Sequence, residues 1–224
     1  MSKRAQGRGG SIRARNEARI LVAAEAVFAE AGFQGATTAA IAARAKLPKA
    51  NLHYYFGTKQ ALYRAVLANI LDLWLGALDA IRADRQPAEA LRDYISSKMH
   101  WSRQRPNASK VFANEILHGA PQLGGYLATD LRRRVGQKAV VLRRWARQGL
   151  MDPVDPVHLV FTLWAMTQHY ADFEMQVRAV LGRQRLTEAD YTAATDTIVK
   201  LVLDGCKVTS GPPRKAGQGL RRSP

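Results

Sequence analysis

The sequence predicts an all-α protein of nine helices. Three observations carry this expectation. Apolar residues recur at steps of three and four along nearly all of the 224 residues, the signature of one buried helical face. No hairpin signal separates two alternating apolar runs. Helix-starting and helix-stopping residues punctuate the pattern at regular intervals.

Taken in order, the helices are expected over 16–31, 38–45, 48–55, 59–83, 88–104, 107–118, 122–148, 156–181 and 187–205. The first carries Ile20, Ala23, Ala24, Val27 and Phe28 on one face and ends at Gly32 and Gly35. Thr37 and Thr58 precede the second and fourth helices, where a hydroxyl can cap exposed amides. Pro87, Pro106 and Pro121 stand near later starts, a position where the missing N–H costs nothing. Asp155, between Pro153 and Pro156, is the expected N-cap of the eighth helix.

Charge narrows the class of partner. The formal net charge is +16, yet residues 1–15 and 207–224 each hold five basic residues and no acid, leaving only +6 between them. Both ends are rich in Gly, Ser or Pro and are expected to be solvated arms, because they bury too little to offset the entropy of ordering. Such arms attract phosphate without selecting a sequence. The one cysteine, Cys206, excludes a disulfide framework or a zinc cluster within the chain and ends an apolar stripe, so a buried structural thiol is expected. No long apolar run or leader-like stretch is evident, and the expectation is a soluble cytoplasmic, nucleoid-associated protein without membrane partners.

Residues 37–56 have a specific organisation. Thr37 through Ala45 form two turns of small-residue helix, Lys46-Leu47-Pro48 make a tight turn, and Lys49 through Phe56 form two further turns. Small residues such as Ala42 allow close approach, and Leu47 and Leu52 lock the crossing angle, as in a helix-turn-helix. Leu52, Tyr55 and Phe56 face inward at helical spacing. Lys49, Ala50, Asn51, His53 and Tyr54 then remain outside: no acid, several donors, an amide and a small apolar group. Those types meet phosphates, base edges and thymine methyls in a major groove. A solvated face on an ordinary small helix is the bland alternative.

The run from Asn16 through Phe28, Gly32, Gly35, Thr38, Ile41, Ala42 and Ala45, then Asn51-Leu52-His53-Tyr54-Tyr55-Phe56 and Lys59-Gln60-Ala61-Leu62-Tyr63, resembles the DNA-binding domain of the TetR family of repressors. The resemblance implies a TetR-like homodimer whose two heads read half-sites of a palindromic operator in double-stranded DNA. It implies DNA contacts from Thr38, Lys49, Asn51, His53, Tyr54 and Lys59, with Tyr54 and Lys59 on phosphates. Ala50 and Lys46 complete the expected set. The chain departs from the family pattern at two places, Lys46 in place of Gly and Pro48 in place of Ser or Thr. A left-handed Lys46 would cost about 1–2 kcal/mol. With Pro48 at the first helical position, Leu47 becomes the expected cap and the turn is expected to shift.

The implied organisation is a basic arm (1–15), a helix-turn-helix head (16–63), an effector-binding and dimerisation body (64–206) and a basic tail (207–224). The stretches Ile70–Leu75, Glu115–Pro121 and Trp164–Phe173 are similar to the pyrimidine-utilisation (Rut-type) repressors, TetR-type proteins that respond to uracil or thymine. In the eighth helix, Trp164, Gln168 and Asp172 lie four apart on one side, near Phe161 and Met175. A Gln amide presents a donor and an acceptor together, matching the edge of a pyrimidine-dione, and Trp164 or Trp74 can stack on a flat ring. The expected pocket is neutral. The alternative is that Trp164 is core while Gln168, His169 and Asp172 bond across an interface.

Tyr191, Ala194, Ile198, Leu201 and Val202 form a stripe expected at the dimer interface, where two helices from each subunit would build a four-helix bundle. An intramolecular core face explains the stripe equally well. Symmetry favours the dimer, since one short head binds DNA weakly. No cofactor, metal or catalytic residue is expected, because no ligand-spaced His/Glu pair, phosphate loop or nucleophile motif is present. A sequence-indifferent architectural nucleic-acid-binding protein is the remaining rival, motivated by the basic ends.

Overall fold

A computed structural model describes residues 4–209, with side chains from residue 12 onward. The outermost parts of the two expected arms, 1–3 and 210–224, lie outside the described residues. Every described regular element is a helix: α1 (Arg4–Gly35), α2 (Thr38–Ala45), α3 (Lys49–Phe56), α4 (Lys59–Leu78), α5 (Pro87–Gln104), α6 (Pro106–Leu117), α7 (Gly124–Tyr126), a π turn (Leu127–Leu131), α8 (Arg132–Arg147), α9 (Pro156–Asp172), α10 (Glu174–Leu181) and α11 (Glu188–Gly205).

Local chemistry explains most of the boundaries. The Thr37 hydroxyl accepts from the Ala40 amide at 3.1 Å, and Thr58 from Ala61 at 3.0 Å. Asp155 accepts from the Val157 and His158 amides, both at 2.9 Å. Thr187 and Asp190 close a reciprocal capping box at the start of α11. Gly32 takes φ 66°, turning the chain so that the Phe33 ring reaches back to Tyr63 at 4.9 Å between centroids.

Several expectations are corrected. Helix α1 begins at Arg4 rather than at 16, so residues 4–15 are helical where a solvated arm was expected. Helix α4 ends at Leu78, short of 83, because three-residue bonds such as Ile81 N–H to Leu78 O (3.1 Å) tighten the chain and bury Ile81. The expected seventh helix is split by the π turn, and the eighth breaks at Phe173, whose φ of −113° is not helical. The start of the basic tail is tied down: the Thr209 amide donates to Leu150 O at 2.9 Å and Lys207 pairs with Asp152 at 2.7 Å. Helix α4 is also apolar and long enough to cross a membrane, with a mean hydropathy of 1.4, but half of that stretch is buried within the chain.

The chain divides into two compact units. The first runs to Leu73 and takes back Arg105–Leu123; the second comprises Trp74–Gln104 and the chain from Gly124 onward. Helix α6, expected in the body, groups by its packing with the first unit. In the first unit α1 packs on both α2 and α6 around Ile20, Ala24, Phe28, Ile41, Leu62 and Leu67. In the second, α5 packs on α9 and α11, and α8 on α9, around Leu91, Ile95, Met99, Trp145, Leu163 and Ile198.

The attachment of α6 has a charged anchor. Arg105, just before the helix, donates to both oxygens of Glu25, a carboxylate whose side chain is 7% exposed, and to Asn69 Oδ1 at 3.2 Å. Removing the cation leaves Glu25 buried and unpaired. Arg105→Ala is expected to lower the unfolding free energy by about 3 kcal/mol in urea denaturation followed by circular dichroism. A decrease below about 1 kcal/mol would show that the pair behaves as an ordinary surface one.

Candidate functional site

Helix α3 projects from the first unit on a turn built by Lys46. This residue sits at φ 52°, ψ 45°, in the left-handed region. Its amide bonds to Ala43 O at 3.0 Å and the Leu47 amide to Ala42 O at 3.1 Å, satisfying two terminal carbonyls of α2. The Arg19 guanidinium, on α1, covers the carbonyls of Ala45 (2.8 Å) and Lys46 (3.4 Å). These bonds offset the strain of a side chain where glycine is easier. Pro48 takes the cap position with φ −56° and ψ 143°, and α3 starts at Lys49. The expectation that Leu47 caps the helix is thus overturned: the Asn51 amide bonds to Pro48 O at 2.9 Å, and no side chain caps this end.

On α3, Leu52 is buried while Lys49, Ala50, His53 and Tyr54 are exposed on one arc; Asn51, at its edge, is half-buried, as is Thr38 at the start of α2. The ring of His53 is oriented by Nδ1, which lies 3.0 Å from Gly57 O. A carbonyl can only accept, so Nδ1 carries the proton, and in the neutral ring Nε2 is left as an acceptor on the exposed side. Arg13 of α1 stacks over the rings of Tyr54 and Tyr55 at 5.8 and 6.0 Å. Arg13 and Arg19 escaped the sequence reading, since nothing in their spacing marks them as partners of a turn and a ring 27–41 residues away.

Lys59, expected on a phosphate, is engaged within the chain in this structure. Its ammonium donates to Phe33 O (2.8 Å), Ala36 O (3.0 Å) and Gln34 O (3.4 Å), and lies 4.6 Å from the Phe33 ring centre. A lysine has three N–H donors, and all three are directed at the corner that follows α1.

In the second unit, α5 links the expected effector residues. Its buried face reads Ala90, Leu91, Tyr94, Ile95, Lys98, Met99, Ser102. Tyr94 is fully buried; its oxygen accepts from Trp164 Nε1 at 2.8 Å, and burial raises its pKa. Lys98, four residues on, is 3% exposed with its ammonium 4.3 Å from the centre of the Trp74 ring. Burial depresses its pKa to about 7, and the charge of Asp172 on α9 opposes that shift. Trp74, Trp164 and Asp172 are therefore brought together through Tyr94 and Lys98. Gln168 lies between Trp164 and Asp172, half-buried, with its amide unpaired among the described residues. The surroundings expected to be neutral thus hold a buried lysine, Lys98, facing the charge of Asp172. A lysine at a core position of the α5 stripe was the available signal.

The α11 stripe is also corrected. Ala194, Ile198 and Val202 are buried within their own chain, where α11 packs on α5, so they cannot face a partner. Tyr191 is half-buried with its ring 6.4 Å from Tyr170, and Leu201 is 61% exposed. Phe161, Ala165 and His169 of α9 and Phe173 at its C-cap recur every four residues and are exposed, with His169 stacked on Phe173 at 5.1 Å. Cys206 is buried as expected, and burial pushes its thiol pKa up.

A helix-turn-helix carried by a helical core, together with a second, all-helical unit, defines a DNA-binding regulator. Residues 20–66 match the tetR family of bacterial regulatory proteins, and residues 67–209 match the C-terminal region of YcdC-like proteins. The chain belongs to the TetR family and is a DNA-binding transcriptional regulator, not an enzyme. It is 40% identical over 200 residues to the HTH-type transcriptional regulator RutR of Escherichia coli K12, covering 89% of this chain and 94% of that protein. The HTH-type transcriptional repressor NicS of Pseudomonas putida KT2440 is 32% identical over 125 residues, 55% of this chain and 58% of that one. Among solved structures, a TetR-like regulator from Rhodococcus sp. RHA1 superimposes with a TM-score of 0.62 at 24% identity, covering 85% of this chain and 94% of that one. AibR, solved with isovaleryl coenzyme A and operator DNA, gives a TM-score of 0.65 at 19% identity, over 83% and 97%. These two share the fold.

Two measurements check the reassigned lysines. Lys59→Ala is expected to lower the melting temperature while leaving the salt dependence of DNA binding unchanged; a slope shallower by about 0.9 would instead reveal that Lys59 engages a phosphate. For Lys98, the folded chain releases a proton near pH 7 that an unfolded lysine keeps to about pH 10. The penalty for burying the charge is thus fully present below pH 7 and relieved as pH rises through that window. The urea midpoint should climb between pH 7 and 9, and Lys98→Met should flatten the climb.

Proposed function

We propose that the protein is a homodimeric, cytoplasmic repressor that reads a palindromic operator through α3 and releases it when a small planar effector occupies the second unit. The reading is carried by Gln168. Its unpaired amide, half-buried and one turn from both Trp164 and Asp172 on α9, offers a donor and an acceptor, which suits the N–H and C=O edge of a pyrimidine such as uracil or thymine. The resemblance of Trp164–Phe173 to the pyrimidine-utilisation repressors supports the same class. Lys98 favours a second reading, an effector whose flat ring carries a carboxylate, because a buried ammonium gains most from an anionic oxygen.

In the head, Lys49, Ala50, Asn51 and His53 are the proposed base-reading residues, with Thr38, Lys46 and Tyr54 on the backbone. Lys59 is assigned to structure. Dimerisation is proposed through the exposed α9 face, Phe161, Ala165, His169 and Phe173, joined by Leu201 of α11. Helix α4 contributes Lys59–Leu73 to the first unit and Trp74–Leu78 to the second, and it is the proposed route by which an effector acts on the head. An effector controls affinity only by binding two states of the protein unequally.

The operator is sought as an inverted repeat in a promoter adjoining the gene, with binding followed by fluorescence anisotropy. Saturating uracil or thymine should weaken it at least tenfold, and Gln168→Ala should abolish the response. Unchanged affinity with both rings removes the pyrimidine reading; release by a ring carboxylate, absent in Lys98→Met, establishes the second one. His53→Ala should relax preference at one base position by about 1–3 kcal/mol. Phe161→Glu with Leu201→Glu should give monomers in sedimentation and abolish operator binding; intact dimers would exclude that face.

A further inference from the structure

Outside the two ends, the basicity of this protein is concentrated in one helix. Residues 16–206 carry a net +6, and α8 alone contains seven cations and no acid: Arg132, Arg133, Arg134, Lys138, Arg143, Arg144 and Arg147. The rest of that region is therefore slightly acidic. Neither the α3 reading face nor the effector residues around Lys98 draw on these cations.

Their placement on α8 is ordered. Val135, Ala139, Leu142 and Trp145 are buried, and α8 packs on α9. At 3.6 residues per turn the opposite side carries Arg132, Arg133, Arg143, Arg144 and Arg147, all exposed. Gly136, Gln137 and Val140 lie between them, Val140 being 58% exposed. The face therefore has two arginine clusters separated by a small uncharged stretch. Arg132 and Arg143 are three turns apart, a rise of about 16 Å. A major groove about 12 Å wide, with a phosphate row at either edge, has a similar span.

Local acids neutralise little of this charge. Arg133 meets Asp130 at 3.1 Å, and Lys138, turned toward the core, meets Asp79 at 3.4 Å. Asp155, whose carboxyl is held low by the His158 and Val157 amides, also feels Arg143. Arg132, Arg144 and Arg147 have no ion-pair partner among the described residues. Arginine rather than lysine dominates the face, and the planar guanidinium is the side chain that grips phosphate with two parallel bonds.

We propose that this α8 face is a second DNA-binding surface, which holds the phosphate backbone of duplex DNA without reading its sequence. Charge complementarity selects the occupant: the head of this DNA-binding regulator already holds duplex, and a backbone contact in the second unit adds affinity because that duplex is present at high effective concentration. Operator choice stays with α3, since phosphate contacts carry no base information.

The test uses the full-length protein and a random-sequence duplex several helical turns long. A photo-crosslinking amino acid at Val140, in the centre of the face, should capture the duplex. The same group at Glu89, an exposed position on α5, should not. Combining Arg132→Gln, Arg143→Gln, Arg144→Gln and Arg147→Gln should abolish capture at 140 and lower random-duplex affinity at least tenfold at low salt. The salt slope should become shallower by about 0.9 for each phosphate that is no longer engaged, and the corresponding four Arg→Lys changes should retain most of the affinity. An unaltered circular dichroism melt confirms that the fourfold variant folds. No capture at Val140, equal capture at Glu89, or an unchanged slope in the fourfold Gln variant overturns the proposal; an acidic protein would then be the better partner for the face.

Discussion

The reading head rests on how the carbonyl ends of its first two helices are closed. A helix end leaves several C=O groups without partners, and burying them unpaired is costly. At the corner after α1, Lys59 reaches back from α4 to three carbonyls and covers Phe33. At the end of α2, Arg19 reaches from α1 to the carbonyls of Ala45 and Lys46. Both cations are drawn from a basic protein that binds an anionic polymer, yet both are consumed internally. They hold α1, α2 and α4 in one arrangement, and that arrangement sets where α3 stands.

The same logic of satisfied charge separates the two units in character. In the first, Glu25 and Glu115 are buried carboxylates met by strong donors: Arg105 for one, and the Gln122 and Leu123 amides at 2.6 and 3.1 Å for the other. Those bonds fasten α6 and the turn that follows it to the head. In the second unit the buried charge is Lys98, whose pKa burial depresses and the charge of Asp172 opposes. A fully matched network favours rigidity.

Much of the architecture was legible because it depends on short-range rules. Thr37, Thr58 and Asp155 cap the helices they precede, since a hydroxyl or carboxylate two or three residues from an exposed amide has little choice of partner. The left-handed Lys46 and the inward Phe33 follow from equally local constraints. The reading of 194, 198 and 202 as a dimer face failed for a different reason. An apolar stripe at helical spacing states only that something covers it, and here α5 of the same chain does.

The sequence by itself determined the helical class, the helix-turn-helix and the residues that α3 exposes, because periodicity and capping act within a few residues of chain. Only tertiary structure decided the roles of the charges. Lys59 and Lys98 are both lysines within or beside apolar stripes, and no local rule distinguishes an ammonium held by carbonyls 23–26 residues away from one buried over a distant indole. The arginines of α8 were visible as letters, but which of them face outward depends on the surface that Val135, Leu142 and Trp145 bury. Charge is long-ranged and long side chains are flexible, so their partners are chosen by the fold rather than by their neighbours in sequence.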